Sequence, residues 1–95
     1  MTYLALSQEE KEQLLTPKRI QLLKTIRRGN GLSVSELARE VNRDPGAVSR
    51  DLKVLANHDI IELERSGHRK EAKVAASHIV IPLGHKEGKE KSKVR

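Results

Sequence analysis

Arg50 and Lys53 stand three positions apart, with Gly46, Ala47 and Ser49 just ahead of them. A guanidinium can donate two parallel hydrogen bonds to one planar edge, such as O6 and N7 of guanine. An ammonium is a mobile point charge, better suited to phosphate. With Val48 at the centre of a buried helix face, steps of 100° per residue point Gly46, Arg50, Lys53 and Asn57 outward, with Ala47 and Ser49 on the flanks. None of the outward residues is acidic. Small side chains at 46, 47 and 49 would let a backbone come close, and Ser49 could reach a base or a phosphate. Asp51 falls on a flank, where pairing with a neighbouring basic side chain is expected. Val54 projects away from the core, and its expected place is under the segment that follows or against a partner chain. The competing interpretation is an ordinary solvated helix face, which the absence of outward carboxylates disfavours.

A second basic cluster, Arg65, His68, Arg69 and Lys70, surrounds Gly67. The composition is that of a hairpin tip, able to lie on a phosphate backbone or enter a minor groove, or simply to keep the hairpin soluble. Ser33 and Ser35 open an earlier helix and could contact phosphate, although capping is the first task of Ser33. Arg43, in the turn between the two helices, completes the set of candidate contacts. Other chemistries find no support. His58, His68, His78 and His85 are spaced by ten, ten and seven positions, without the short spacing of a metal site. No cysteine is present, so disulfides, thiolate metal sites and thiol redox sensing are excluded. The serines sit in caps and turns, with no nucleophile elbow and no phosphate loop. No catalytic residue, metal site or cofactor is therefore expected.

These residues need elements to hold them. Ser7 and Glu10 have capping-box spacing and open a short helix over residues 8–15. Thr16 and Pro17 start a second, which runs to Arg28 and buries Ile20, Leu22, Leu23 and Ile26. Gly29-Asn30-Gly31 ends it, with glycine at the left-handed position of the C-terminus. Ser33 and Glu36 repeat the capping box ahead of Val34, Leu37, Ala38 and Val41, an i, i+3, i+4, i+7 stripe. Leu32 could add one residue of strand before it. Asn42-Arg43 turns the chain, Asp44 caps, and Pro45 begins a helix whose Val48, Leu52 and Leu55 face inward. Asn57-His58-Asp59 closes that helix. Strand patterning follows: residues 60–64, the tip at 65–70, and a return through Ala72, Val74 and Ala76. Ile79-Val80-Ile81-Pro82-Leu83 reads as a candidate third strand, confined by Pro82 to an edge or an end.

The 95 residues suffice for one domain, with a net charge of +6. Residues 84–95 hold five basic residues against two acidic ones, so about half of the net charge lies in a tail expected to be disordered. Tyr3 is the sole aromatic among Phe, Tyr and Trp. The core must be aliphatic, and base-stacking single-strand binders are disfavoured. A core this small makes dimerisation an attractive second source of burial. Tyr3, Leu4, Leu6, Leu14, Leu15 and Ile79 to Leu83 are the apolar flanks available for it. No apolar run approaches the ~20 residues of a membrane span, and no signal peptide is recognisable, so a cytoplasmic protein is expected.

The stretch SVSELAREVNRDPGAVSRDLKVLANHDIIEL, residues 33–63, resembles MarR- and ArsR-like winged-helix regulators. The matching pieces are the SELAREV helix, the capped AVSRDLKVL helix and the DIIEL strand. The resemblance extends over residues 16–83 and looks most like small predicted transcriptional regulators of this class from archaea and bacteria. It implies a mainly α winged helix-turn-helix fold with a small β-sheet (α+β), helices being followed by a hairpin wing and the further C-terminal strand. Residues 1–15 would be an N-terminal helical extension serving dimerisation, 16–83 the DNA-binding domain, and 84–95 the basic tail. The implied function is sequence-specific binding of double-stranded DNA by a homodimeric repressor, with the helix of residues 45–57 in the major groove and the wing on backbone or minor groove. Two other classes share the pattern: a winged-helix protein–protein module and a non-specific architectural DNA binder. An antitoxin repressing its own operon would be a special case of the first reading. The sequence leaves open a small-molecule effector.

Overall fold

The computed structural model describes residues 3–29 and 31–81. Each helix starts where a side chain satisfies a free amide. In both capping boxes the serine hydroxyl accepts from the glutamate amide and the glutamate carboxylate accepts from the serine amide. This sets the starts of α1 (Gln8–Leu14), after Ser7, and α3 (Val34–Glu40), after Ser33. Thr16 caps α2 (Pro17–Arg28) and Asp44 caps α4 (Pro45–Asn57), each followed by proline at the first helical position. Gly29 caps the end of α2 with φ −130°, and Gly31 takes the left-handed conformation, with φ 93°. In the α3–α4 turn Asn42 takes φ 55°, a conformation its short polar side chain tolerates, and Asp59 does the same (φ 61°) on leaving α4.

Five short strands complete the chain: β1 (Tyr3–Ala5), β2 (Leu32–Ser33), β3 (Ile61–Ser66), β4 (Arg69–Val74) and β5 (His78–Val80). β2, β4 and β3 form an antiparallel sheet in that order, with Leu63 opposite Ala72 and Ser66 opposite Arg69. The turn between β3 and β4 is Gly67-His68 alone, with Gly67 at φ 64°, so Arg65, Ser66, Arg69 and Lys70 are strand residues instead of loop. A helix-turn-helix followed by this hairpin is the expected winged arrangement. The expected further C-terminal strand is present as β5; it stands outside the hairpin sheet and pairs in parallel with β1, Tyr3 opposite His78 and Ala5 opposite Val80. Pro82, Leu83 and the tail 84–95 lie outside the described residues. No helix among the described residues is long and apolar enough to cross a membrane.

The core lies between the helices and the antiparallel sheet. Leu22 and Ile26 of α2, Leu37 of α3, Val48, Leu52 and Leu55 of α4 and Ile61 of β3 are all fully buried. Each contributes about 1.5–3 kcal/mol of transfer free energy. Leu6 and Leu14 join the same core, so the apolar flank read as available for a partner is partly used within the protomer. Ile20, expected inside, is 37% exposed at the edge of α2, while Val54 is half-buried against the core.

Candidate nucleic-acid interface

The register of α4 against the core settles which side chains it offers. With Val48, Leu52 and Leu55 inside, Gly46, Arg50, Lys53 and Asn57 are exposed, and Ala47 and Ser49 are half-buried on the flanks. Helical side chains lean toward the N-terminus of their helix. The Arg50 guanidinium accordingly lies one turn back: a Cβ placed on Gly46 would sit 3.7 Å from its Nη1 and 2.9 Å from Oδ2 of the capping Asp44. A larger residue at 46 would therefore crowd the cap and occupy the space beneath Arg50. Arg50 and Lys53 form no ion pair among the described residues and remain free to donate.

Asp51, the one carboxylate in the middle of α4, is turned away from this face. It accepts from Arg19 Nε at 3.0 Å and from Arg43 Nη2 at 2.8 Å. Burial pushes its carboxyl upward, but the hydrogen bonds and charges of Arg43 and Arg19 together outweigh this and hold it below the ordinary aspartate range. The pairing expected for Asp51 is thus present, at the cost of Arg43, a candidate contact that faces inward.

The wing divides its cations. Arg69 is latched: it donates to Glu36 at 2.6 Å, to Glu71 at 2.7 Å and to the Gly31 carbonyl at 3.2 Å. It ties the wing to the start of α3 instead of reaching outward. Hydrogen bonds from Arg69 and the Ser33 amide keep the Glu36 carboxyl below its ordinary range. Lys73 is similarly engaged by Glu64 at 2.8 Å. Arg65 and Lys70 make no ion pair among the described residues, although they face each other directly across the hairpin. Glu64 faces Glu71 on the next rung. Directly opposed like charges destabilise a hairpin by some tenths of a kcal/mol. By strand alternation Arg65 and Lys70 share the side of Leu63 and Ala72, continuing the helix-facing surface of the wing past the core. His68 is exposed in the turn.

At the other end of α4 an open groove of about 430 Å³ runs along the turn, lined by Ser35, Ala38, Arg39, Asn42, Arg43, Asp44 and Pro45. Ser35 is exposed there, whereas the Ser33 hydroxyl is occupied in its capping box. Arg39 and Asn42 join the candidates here, beyond those that the sequence spacing points to. The exposed face of α3 and a left-handed Asn in the turn are the local signals that point to them. The described surface thus brings together Ser35, Arg39 and Asn42 at the turn and Arg50 and Lys53 on α4. Arg65 and Lys70 stand on the wing. No group of three or more His, Asp or Glu side chains among the described residues could hold a metal ion.

A family model designated HVO_A0114 matches residues 14–81. No curated protein matches the sequence. Among solved structures, the homodimeric winged helix-turn-helix DNA-binding domain of Mb0332 from Mycobacterium bovis, described as a possible ArsR-family transcriptional regulator, has a TM-score of 0.63 at 23% identity, over 68% of this chain and 59% of that one. The antimony-specific transcriptional repressor AntR has a TM-score of 0.61 at 33% identity, over 66% of this chain and 58% of that one. AF1382 from Archaeoglobus fulgidus has a TM-score of 0.57 at 23% identity, over 68% and 76%. The chain thus spans somewhat under three fifths of the first two. The shared fold is the winged helix-turn-helix.

Proposed function

For this chain, which belongs to the HVO_A0114 family, we propose the function of a DNA-binding transcriptional regulator that reads duplex sequence with α4. The observation that carries this reading is the exposed face of α4. It offers Arg50, Lys53 and Asn57 beside small residues, and the only carboxylate in the middle of the helix is bonded away from it. A donor-rich helix of this kind suits the acceptor-rich major groove. Arg65 and Lys70 on the wing, with Ser35 at the turn, supply backbone contacts that position α4 without reading sequence. Mb0332 and AntR, named as a DNA-binding domain and a repressor, support the same reading.

In this proposal the protein acts as a homodimer on an inverted repeat and represses by occupying a promoter. The homodimeric Mb0332 domain and the exposed Tyr3 and Val80 on the β1–β5 ribbon favour pairing. Selection from a random duplex pool is the direct test. The expected product is an inverted repeat bound about a thousandfold or more tighter than random duplex at physiological salt. A pool that stays random, with affinity set by salt alone, would instead identify a non-specific binder.

The wing makes a separable prediction. Lys70→Ala is expected to weaken binding to all duplexes alike and to lower the slope of log affinity against log salt by about one. An unchanged slope would remove Lys70 from the phosphate contacts.

A further inference from the structure

Asp51 joins four parts of the molecule. Its Oδ1 takes the bond from Arg19 of α2, and its Oδ2 the bond from Arg43 of the turn. Arg19 reaches further, donating from Nη1 to the carbonyls of Gln13 (3.1 Å) and Leu14 (3.2 Å) at the end of α1. Those carbonyls belong to the last turn of a helix, where no amide follows to satisfy them. The three side chains are mostly buried, 19% exposed for Arg19 and 16% for Asp51 and Arg43.

As a stabilising device this cluster is poorly composed. It holds two cations against one anion, and Arg43 Nη1 is buried without a hydrogen-bond partner. Desolvating three charges offsets much of their attraction, and an apolar trio of similar volume would hold the elements together comparably well. An apolar contact, however, tolerates sliding and rotation. A carboxylate gripped at each oxygen from a different element does not. The outer atoms of a helix lie about 5–6 Å from its axis, so a rotation of about 10° moves them by about 1 Å. Bidentate recognition requires placement within about 0.5 Å. Asp51 is the immediate neighbour of Arg50, and whatever fixes the rotation of α4 fixes where Arg50 points.

We propose that Asp51, held by Arg19 and Arg43, is a positioning residue that sets the rotation of α4 for base reading, and that Arg19 makes this setting depend on the seating of α1. The inference rests on the α4 reading above. It assigns a role in specificity to Arg19, a residue about thirty positions before α4's exposed face, and makes the first helix part of the reading apparatus.

The test uses the full chain and measures affinity for the selected duplex and for random duplex. Asp51→Asn keeps the shape and removes the charge. Arg19→Lys keeps the charge but cannot span the Asp51 carboxylate and the α1 carbonyls together. Both are compared with the parent at a temperature where circular dichroism shows each folded. Asp51→Asn is expected to reduce the preference for the selected duplex by about tenfold or more, the discrimination carried by one well-placed bidentate contact. Affinity for random duplex should stay within about twofold, because phosphate contacts do not depend on that alignment. Arg19→Lys is expected to reduce the preference in the same direction, by a smaller factor, and carries the test if Asp51→Asn does not fold. A variant that melts earlier yet keeps the parent's ratio of the two affinities overturns the inference and leaves α4 as the reading helix. A parent with no preference for any duplex overturns the α4 reading itself, and the positioning role falls with it.

Discussion

Arg50→Ala is expected to bind the selected duplex about 5- to 150-fold more weakly, corresponding to about 1–3 kcal/mol, and to lose discrimination at one base position. Arg50 stands out from the other cations because its guanidinium is placed and unengaged. It lies back over Gly46 at the start of α4, the part of a recognition helix that meets base edges, and it forms no ion pair among the described residues. Lys53 is one turn further on, where a flexible ammonium suits phosphate better than a planar base edge. Titrations against the selected site and its single-base variants would test this. Loss at one position with the rest of the profile unchanged is the expected pattern. A variant that bound its best site as tightly as the parent would show that α4 does not read bases.

The second large effect lies on the opposite face of the same helix. Leu52→Ala is expected to cost about 2–5 kcal/mol of folding free energy. Leu52 is fully buried among Leu22, Ile26, Leu37 and Ile61, and the short helices around it can close only part of the cavity. A chain of this size has a stability of only about 5–15 kcal/mol, and the loss is a large share of it. Chemical denaturation would show a lower midpoint with a similar slope. A change below about 1 kcal/mol would mean that the core is looser than its burial indicates. Arg50→Ala should leave the same curve nearly unmoved. The two variants therefore separate the face that holds α4 from the face that α4 presents.

The features that could be read from sequence are those whose causes are local. Ser7 with Glu10 and Ser33 with Glu36 close capping boxes over three residues, and Asp44 with Pro45 starts α4 over two. The outward direction of Arg50 and Lys53 follows from helical periodicity once Val48 is inside. Features with distant causes were harder to see. Arg69 looked like a free wing cation, but Glu36, its partner, lies 33 positions earlier. Arg43 looked like a turn cation, but Asp51 draws it inward, and that carboxylate is shared with Arg19, 32 positions earlier. The sequence pattern alone places β1 within a helical extension. Three residues carry too little pattern to announce a strand whose partner is at the far end of the described chain. The single-residue strand allowed at Leu32 is a two-residue β2 pairing with β4. Ile20 fits the apolar stripe of α2 by type, yet it falls at the rim of the helix and is more than a third exposed.

The β1–β5 ribbon has a consequence for how the molecule assembles. Tyr3 meets His78, a separation of 75 residues, and their rings stack at 4.8 Å. Three pairs of residues return little against the conformational entropy of ordering two short end segments. The capping boxes and the wing hairpin need only short loops and can form first. The ribbon is then expected to close last and to open first, a clasp on a core already built, which hydrogen exchange at Leu4 and Val80 would show as the earliest loss of protection. Because Leu6 enters that core directly after β1, opening the clasp also loosens the route from α1 through Arg19 to the reading helix.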